Sequence, residues 1–597
     1  MDCRPGKGEF DLADNNTVKN KTVQLTMDMP VGEVPFSLYP RPMLVRDSRW
    51  LNLNGKWDCG VTVPFPLQSV LSGFEGEVPD EYTYYTSFEY YPSWENRTLL
   101  HFGAVDQICE VSVDGHPVGT HKGGYLPFSF DITDALDNSE LHKIQVKITD
   151  TLDLTYPHGK QSKNRGGMWY TPVSGIWQTV WIEEVPQKYI HGLKITPSLD
   201  GIKLVIDGDS DKYIIEVFEP TINGSPEKKG SKVIVKEKLT GNKTHIEIDD
   251  PKHWTPDTPW LYGIRVRTAN DVVTSYFALR TISIKKINGL KRICLNDKEI
   301  FLHAVLDQGY YPEGIFLPNS EQGYDNDILA MKELGFNALR KHIKIEPQYF
   351  YYACDRLGMM VMQDMVNNSD YGFMRDTILP TVGIKYKPDL LYHRDEETRL
   401  FFEKHMKDTA EYLYNFPCIV YYTIFNEGWG QFCADKMYEE LKGIDETRVV
   451  DSTSGWFRQF KSDVESKHVY FHKVHQTWHN HPIMVSEFGG YAYIEKGHIF
   501  NPNGNYGYKN YTNKKELSKG ILKLYQQDII TYQKKGLCGS VYTQLSDVED
   551  ETNGLYTYDR KVCKVDKKVM RLIANLIENE IGTTDVTLRT IAVKKEN

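Results

Sequence analysis

The run Ile419-Val420-Tyr421-Tyr422-Thr423-Ile424-Phe425, followed by Asn426-Glu427-Gly428-Trp429-Gly430, decides how this chain is read. Its first part makes a buried strand. The strand ends in a carboxylate, and glycine follows at once. The same design recurs at Ile483-Met484-Val485-Ser486-Glu487-Phe488-Gly489-Gly490. A carboxylate that closes a buried strand and faces a loop sits poorly in a core and well in an active site. Outward from these two runs, strand and helix patterns alternate. Strands are expected at Ile300–Leu306, Asn337–Arg340, Met359–Gln363, Ile419–Phe425, Arg448–Asp451, Lys467–Phe471, Pro482–Glu487 and Leu537–Gln544. Helices are expected at Asp325–Leu334, between Pro347 and Gly358, at Glu396–Tyr414, near Lys515–Lys535 and at Asp566–Asn579. Pro347 suits a helix start, and Gly335 and Gly358 suit helix ends. Eight strands with mostly helical intervals predict a (β/α)8 TIM barrel over residues 285–597, with its site at the C-terminal ends of the strands.

Upstream the helical rhythm is absent. In residues 36–186, Cys109-Glu110-Val111-Ser112-Val113 alternates apolar and polar positions, and Asp114-Gly115 offers a hairpin turn. Leu141–Ile148 alternates again through Ile144, Val146 and Ile148, and Ile176–Ile182 is a further strand. Many short strands with Gly, Pro and Asp-Gly turns predict a jelly-roll β-sandwich. Residues 187–284 form a second β block, with strands at Tyr213–Phe218, Lys232–Lys236, Ile246–Ile248 and Ile264–Thr268. Its size and strand density fit an immunoglobulin-like sandwich. Residues 1–35 are read as an N-terminal extension. No low-complexity linker separates the blocks, so they are expected to pack closely.

A chain of 597 residues exceeds a single core, consistent with several domains. A net charge of −11 argues against a broad phosphate-binding surface, and nucleic acid is not an expected partner. The nine cysteines are scattered, odd in number and without a CxxC pair, which reads as reduced thiols rather than a disulfide framework or a zinc site. Met1–Asn20 has no apolar stretch of signal-peptide type, and no segment is long enough to span a bilayer. The expectation is a cytoplasmic protein with no membrane partner, compatible with a homo-oligomer. Tyr, Phe and Trp are abundant; such rings fill cores and also make flat platforms for sugars.

Paired carboxylates on strand ends are the groups that cleave glycosidic bonds, one donating a proton and one attacking carbon. Glu427 follows the fourth expected strand and Glu487 the seventh, so the barrel brings them together. Asn426 has an amide suited to a sugar hydroxyl. Arg340, closing the second strand, is suited to hold a carboxylate ionised, as a nucleophile requires. Tyr470, on the sixth strand, is placed to donate to that nucleophile. Singly, each residue has an ordinary structural reading. Together they make a constellation.

That constellation resembles glycoside hydrolase family 2, which contains β-galactosidases, β-glucuronidases and β-mannosidases. Phe425-Asn426-Glu427-Gly428-Trp429 and Ser486-Glu487-Phe488-Gly489 are similar to its acid/base and nucleophile motifs. Tyr39-Pro40-Arg41-Pro42, Leu51–Trp57, Gly123–Phe128 and Ser174–Gln178 resemble its first domain. Trp254-Thr255-Pro256 and Pro259–Tyr262 resemble its second domain, and Phe277–Ile282 its entry to the barrel. The resemblance implies a jelly roll, an immunoglobulin-like domain and a barrel. It also implies Glu427 as general acid/base, Glu487 as nucleophile, Asn426 as substrate ligand, and Arg340 and Tyr470 as supports of Glu487. The implied reaction is retaining hydrolysis of terminal β-linked sugars, β-galactosides or β-hexuronides such as galacturonides, with no cofactor and no metal. The other function class is a carbohydrate-binding or scaffold protein of the same fold without catalysis.

The chain departs from its best-known relatives around the sugar. Leu555 stands where glucuronidases of the family place the Lys of an Asn-x-Lys element. Lys341-His342-Ile343-Lys344 replaces a frequent Ser-His-Tyr-Pro, and Tyr542-Thr543-Gln544 stands where a Trp is frequent. Lys341 and Lys344 are therefore candidates for binding an acidic sugar. Asp364, Asp451 and His303 are candidates for sugar hydroxyls. The first domain is expected to shape the barrel mouth or an oligomer interface rather than to bind the main substrate.

Overall fold

The computed structural model describes residues 34–582 apart from 47–48, 94, 223–230, 382–383, 385–387, 471–473, 475–479 and 503–505. Of the expected N-terminal extension only Val34 and Pro35 fall within these; Phe471, the last residue of the expected sixth strand, falls outside them.

Two antiparallel four-stranded sheets form the first sandwich. One runs Phe128–Asp131, Asn96–Phe102, Val180–Pro186, Trp50–Asn52; the other runs Glu81–Glu89, Leu141–Thr149, Ile108–Val113, His116–Lys122. Asp114 and Gly115 turn the hairpin with φ of 49° and 81°, the left-handed pair that a tight two-residue turn requires. Ile144, Val146 and Ile148 face inward, as their alternation predicts, and join Trp57, Leu100 and Ile182 in the core.

A second sandwich sets a five-stranded sheet against a three-stranded one around Ile195, Leu204, Ile215 and Val266. Its edge strand, Val45–Arg46, comes from far upstream and pairs with Val272–Phe277. The chain thus crosses from one sandwich to the other before the first is built. Buried Arg46 stitches the crossing, with Asp271 at 3.1 Å and Glu183 of the first sandwich at 3.4 Å.

Eight parallel strands form the barrel: β1 Leu302–Asp307, β2 Ala338–Lys341, β3 Met360–Asp364, β4 Ile419–Asn426, β5 Val449–Ser454, β6 Glu465–Val469, β7 Ile483–Gly489 and β8 Leu537–Thr543. Seven neighbouring pairs form ladders, and β5 meets the segment leading into β6 through the Asp463 N–H on the Val450 carbonyl at 2.9 Å. The expected helices form at Glu321–Leu334, Gln348–Leu357, Glu396–Leu413, Lys514–Leu524 and Lys567–Gly582. Gly335 and Gly358 end two of them in left-handed conformation. A further helix, Ala434–Ile444, was not read from the sequence. Every residue of β3, β4, β5, β7 and β8 is buried, as expected of strands wrapped by helices on one side and packed into the barrel on the other. The eight described cysteines are free thiols, and no helix among the described residues is long and apolar enough to cross a membrane.

Candidate active site

Side chains at the ends of β2, β4 and β7 and just beyond β6 converge on one cluster. β4 ends in Asn426. Glu427 then takes a left-handed backbone (φ 54°), which turns the chain and leaves its side chain at the strand tip. Glu487 lies within β7. A carboxylate oxygen of Glu427, one of Glu487 and a ring nitrogen of His468 all lie within 4.8 Å of one another.

Glu487 is tightly held. Nη1 of Arg340 donates to Oε1 at 3.0 Å, and the Tyr470 hydroxyl donates to Oε2 at 2.6 Å. Burial alone would raise its pKa, but the charges of His468 and Arg340, with the Tyr470 hydrogen bond, hold it down at about 2. Arg340 is wholly buried and uses its whole fork. Nε binds Asp364 at 3.0 Å, Nη1 also meets the Ser486 carbonyl at 2.9 Å, and Nη2 meets Oδ1 of Asn426 at 2.8 Å. The bond to Oδ1 turns the Asn426 NH2 group into the available donor.

Glu427 is the more open of the two acids, its side chain 17% exposed against 7% for Glu487. Oε1 meets Nδ1 of His468 at 2.7 Å, and the other ring nitrogen faces the Ser454 hydroxyl at 3.1 Å. Sequence reasoning missed His468. Its signal was there, because it sits two residues before Tyr470, and alternate residues of a strand share a face. Trp456 donates its indole N–H to the Glu427 carbonyl at 2.8 Å, and Tyr470 stacks on Tyr508 at 3.8 Å between centroids.

The loop after β8 supplies another carboxyl. Glu551 accepts from Tyr170 of the first sandwich at 2.8 Å, from Gln544 at 2.9 Å and from Asn553 at 3.0 Å. Burial raises its pKa to about 7, with the nearby charge of Glu487 adding to the rise. Gln544 thus anchors a polar network that also takes in Gln308.

The expectations for Lys341, Lys344, His303 and Asp364 need correction. Lys341 and Lys344 do not face this cluster. Neighbouring residues of a strand point to opposite sides, so Arg340 pointing inward sends Lys341 outward. There Lys341 binds Asp307 at 2.7 Å and Glu346 at 2.9 Å, over the Phe350 ring. Lys344 binds Glu346 at 2.8 Å and two carbonyls, beside Phe316 and Trp177 of the first sandwich. His303 lies near the start of β1, bonded to the Gly335 carbonyl at 3.1 Å and to Tyr525 at 3.2 Å, far from the strand ends that carry the acids. Both oxygens of Asp364 are already engaged, by Arg340 and by His342 at 2.7 Å, so it orients Arg340 rather than meeting a hydroxyl. Asp451 is buried with Tyr421 at 3.0 Å. Among the described residues, two donor groups are close enough to share a cation, Glu427 with His468 and Glu487, and Asp114 with Asp137 and His142 in the first sandwich.

Comparison with known proteins agrees with this architecture. Three family models match in order: "Glycosyl hydrolase 2 galactose-binding domain-like" over residues 77–179, "Glycosyl hydrolases family 2" over 188–280, and "Glycosyl hydrolases family 2, TIM barrel domain" over 286–573. A β-galactosidase of Thermoanaerobacter pseudethanolicus is 26% identical over 291 residues, 45% of this chain and 37% of that protein. One of Thermoanaerobacterium thermosulfurigenes is 24% identical over 434 residues, 66% of this chain and 55% of that protein. The chain therefore spans about a third to a half of the length of these relatives. Among solved structures, a β-D-glucuronidase of Dictyoglomus thermophilum superposes with a TM-score of 0.71 at 16% identity, covering 90% of this chain and 98% of that one. A β-glucuronidase of Ruminococcus gnavus superposes with a TM-score of 0.69 at 15% identity, covering 91% of this chain and 100% of that one. At such identity the likeness is one of fold.

Proposed function

The chain belongs to glycoside hydrolase family 2, and on that premise we propose that it is an exo-acting retaining β-glycosidase, cleaving terminal β-galactosides or β-hexuronides. One observation carries the reading: the acid groups of Glu427 and Glu487 approach within 4.8 Å. Retaining enzymes hold their carboxyls roughly 5 Å apart, whereas inverting enzymes open the gap to about 6.5–9.5 Å to admit a water.

Glu487, ionised and aimed by Arg340 and Tyr470, attacks the anomeric carbon. Glu427 gives its proton to the glycosidic oxygen as the bond to the leaving group breaks. A covalent glycosyl-enzyme results. Glu427, now a base, takes a proton from water as that water displaces Glu487. His468 fixes the carboxyl group of Glu427, the more open of the two acids. The Asn426 NH2 group is placed to donate to the hydroxyl beside the reacting carbon. The chemistry asks for no cofactor.

A panel of 4-nitrophenyl β-glycosides, with proton NMR of the first sugar released, tests the reading. Release of the β anomer by the wild type, lost in Glu487→Gln, is the expected result. First release of the α anomer, or unchanged turnover in Glu487→Gln, would refute it.

A further inference from the structure

A cation at the barrel mouth, Lys160, has no task in the proposed reaction. Lys160 belongs to a loop of the first sandwich that is drawn tightly against the barrel. The N–H groups of His158 and Gly159 both donate to the Asn367 carbonyl, at 3.0 and 3.2 Å. Gly159 has a φ of 62°, and a Cβ there would stand 2.7 Å from the Ile343 carbonyl oxygen, so glycine is what permits the approach. Lys160 is only 8% exposed, and its ammonium lies 5.5 Å from the centroid of Trp169. Trp169 in turn packs edge-on against Trp429 at 5.1 Å, two residues beyond Glu427.

Among the described residues this ammonium has no hydrogen-bond or ion-pair partner. The contrast with the other buried lysines is sharp. Lys341 has Asp307 and Glu346, Lys344 has Glu346, and Lys564 has Asp547 at 2.6 Å. Burying an ammonium is costly unless something supplies the counter-charge. Glu551 is near enough to feel Lys160, but its oxygens already accept from Tyr170, Gln544 and Asn553. His342, on the other flank, feels the same charge, which works against its protonation. Contacts place Lys160 between the ends of β2 and β8: its neighbour Gly159 abuts the Ile343 carbonyl just after β2, and its own carbonyl accepts from the N–H of Tyr170 at 3.0 Å, the residue whose hydroxyl reaches Glu551 after β8.

We propose that Lys160 receives a carboxylate of the sugar, making the preferred substrate a β-linked hexuronide. The inference rests on the glycosidase reading and deepens it. A hydroxyl would leave the lysine's charge uncompensated, whereas a carboxylate neutralises it. The carboxylate of a hexuronide is carried on C5, separated from the anomeric carbon by the ring oxygen, so its receptor must be a group other than the two catalytic acids. Lys160 bonds to neither.

The test measures kcat/KM of the full chain on 4-nitrophenyl β-D-glucuronide, β-D-galacturonide, β-D-galactoside and β-D-glucoside. A uronide should be preferred. Lys160→Gln should lower uronide turnover about 100-fold, mainly through KM, while changing neutral glycosides by less than about 3-fold, because only the uronide loses a charged partner. Lys160→Arg should recover part of the loss. Preference of the wild type for neutral glycosides, or equal loss on both classes in Lys160→Gln, overturns the inference and leaves the glycosidase reading standing. Absence of turnover on every glycoside overturns both. If Lys160→Gln fails to fold, as read by circular dichroism, competition on the wild type decides. D-Galacturonate and D-glucuronate should inhibit more strongly than D-galactose and D-glucose, and equal inhibition overturns the inference.

Discussion

Glu487 is a buried carboxyl, and a buried carboxyl left to itself keeps its proton. Arg340, His468 and Tyr470 reverse that tendency and hold its pKa at about 2. A depressed carboxyl pKa contributes stability that is present above the usual carboxyl value and lost as pH falls through the folded value. The acid limb of kcat/KM therefore should not come from Glu487 above about pH 3. Tyr470→Phe removes one donor, so it should lower kcat about 10- to 100-fold and move the acid limb upward, as read by a pH–rate profile. Glu427→Ala should cost about 100- to 10,000-fold on substrates with poor leaving groups and much less on 4-nitrophenyl glycosides, where no proton is needed. Equal losses on both kinds would argue against Glu427 as the acid. Glu427, Glu487, Asn426, Arg340 and Tyr470 were legible in the sequence because each lies at or next to a strand end, where local pattern fixes position. Lys341 was misread through a neglected rule, since a strand that points Arg340 inward must point its neighbour out.

Strands carry these side chains, and their spacing depends on small residues where layers meet. Gly539 of β8 is one. A Cβ there would stand 2.6 Å from Cε of Met484 on β7 and 2.9 Å from the Leu302 carbonyl oxygen on β1. Met484 can shift; the carbonyl of β1 cannot without moving its strand. Gly539→Ala should therefore destabilise the barrel by about 1–3 kcal/mol, with a lowered melting temperature as the readout. The eight strands were legible because runs such as Ile419–Phe425 are too apolar for any exposed element. Ala434–Ile444 was not, because it starts directly after the site loop at Cys433, whose left-handed backbone (φ 40°) and lack of a capping side chain give no start signal. The stretch Phe373–Ile378, wound with i to i+5 bonds, likewise follows no regular period.

The whole molecule depends on how the first sandwich meets the barrel, and that junction was invisible in sequence because its partners lie far apart in the chain. Tyr170 reaches Glu551, and Trp177 lies beside Lys344. Lys344 and Lys341 converge on one oxygen of Glu346, while the other oxygen accepts from Tyr324 at 3.1 Å. Glu346 is fully buried, so its charge is the counterweight to two buried ammonium groups. Lys341 keeps Asp307 if Glu346 is neutralised; Lys344 keeps only the carbonyls of Gly309 and Phe316. Burial already lowers the Lys344 pKa to about 8 despite Glu346. Glu346→Gln should push it lower still and cost about 3–5 kcal/mol near neutral pH, through the uncompensated charge. The sign with pH follows from the direction of the shift. With a folded pKa below the unfolded one, the unfolded chain binds the proton more readily, so stability rises with pH across the interval between the two values. That interval runs from about 8 to the ordinary lysine value of 10.5 in the wild type and begins lower in the variant. The variant should thus melt several degrees below the wild type near neutral pH, and the gap should narrow once the wild-type Lys344 is deprotonated too. A gap that holds constant between about pH 7 and pH 10 would show that Glu346 acts through packing and its Tyr324 bond instead.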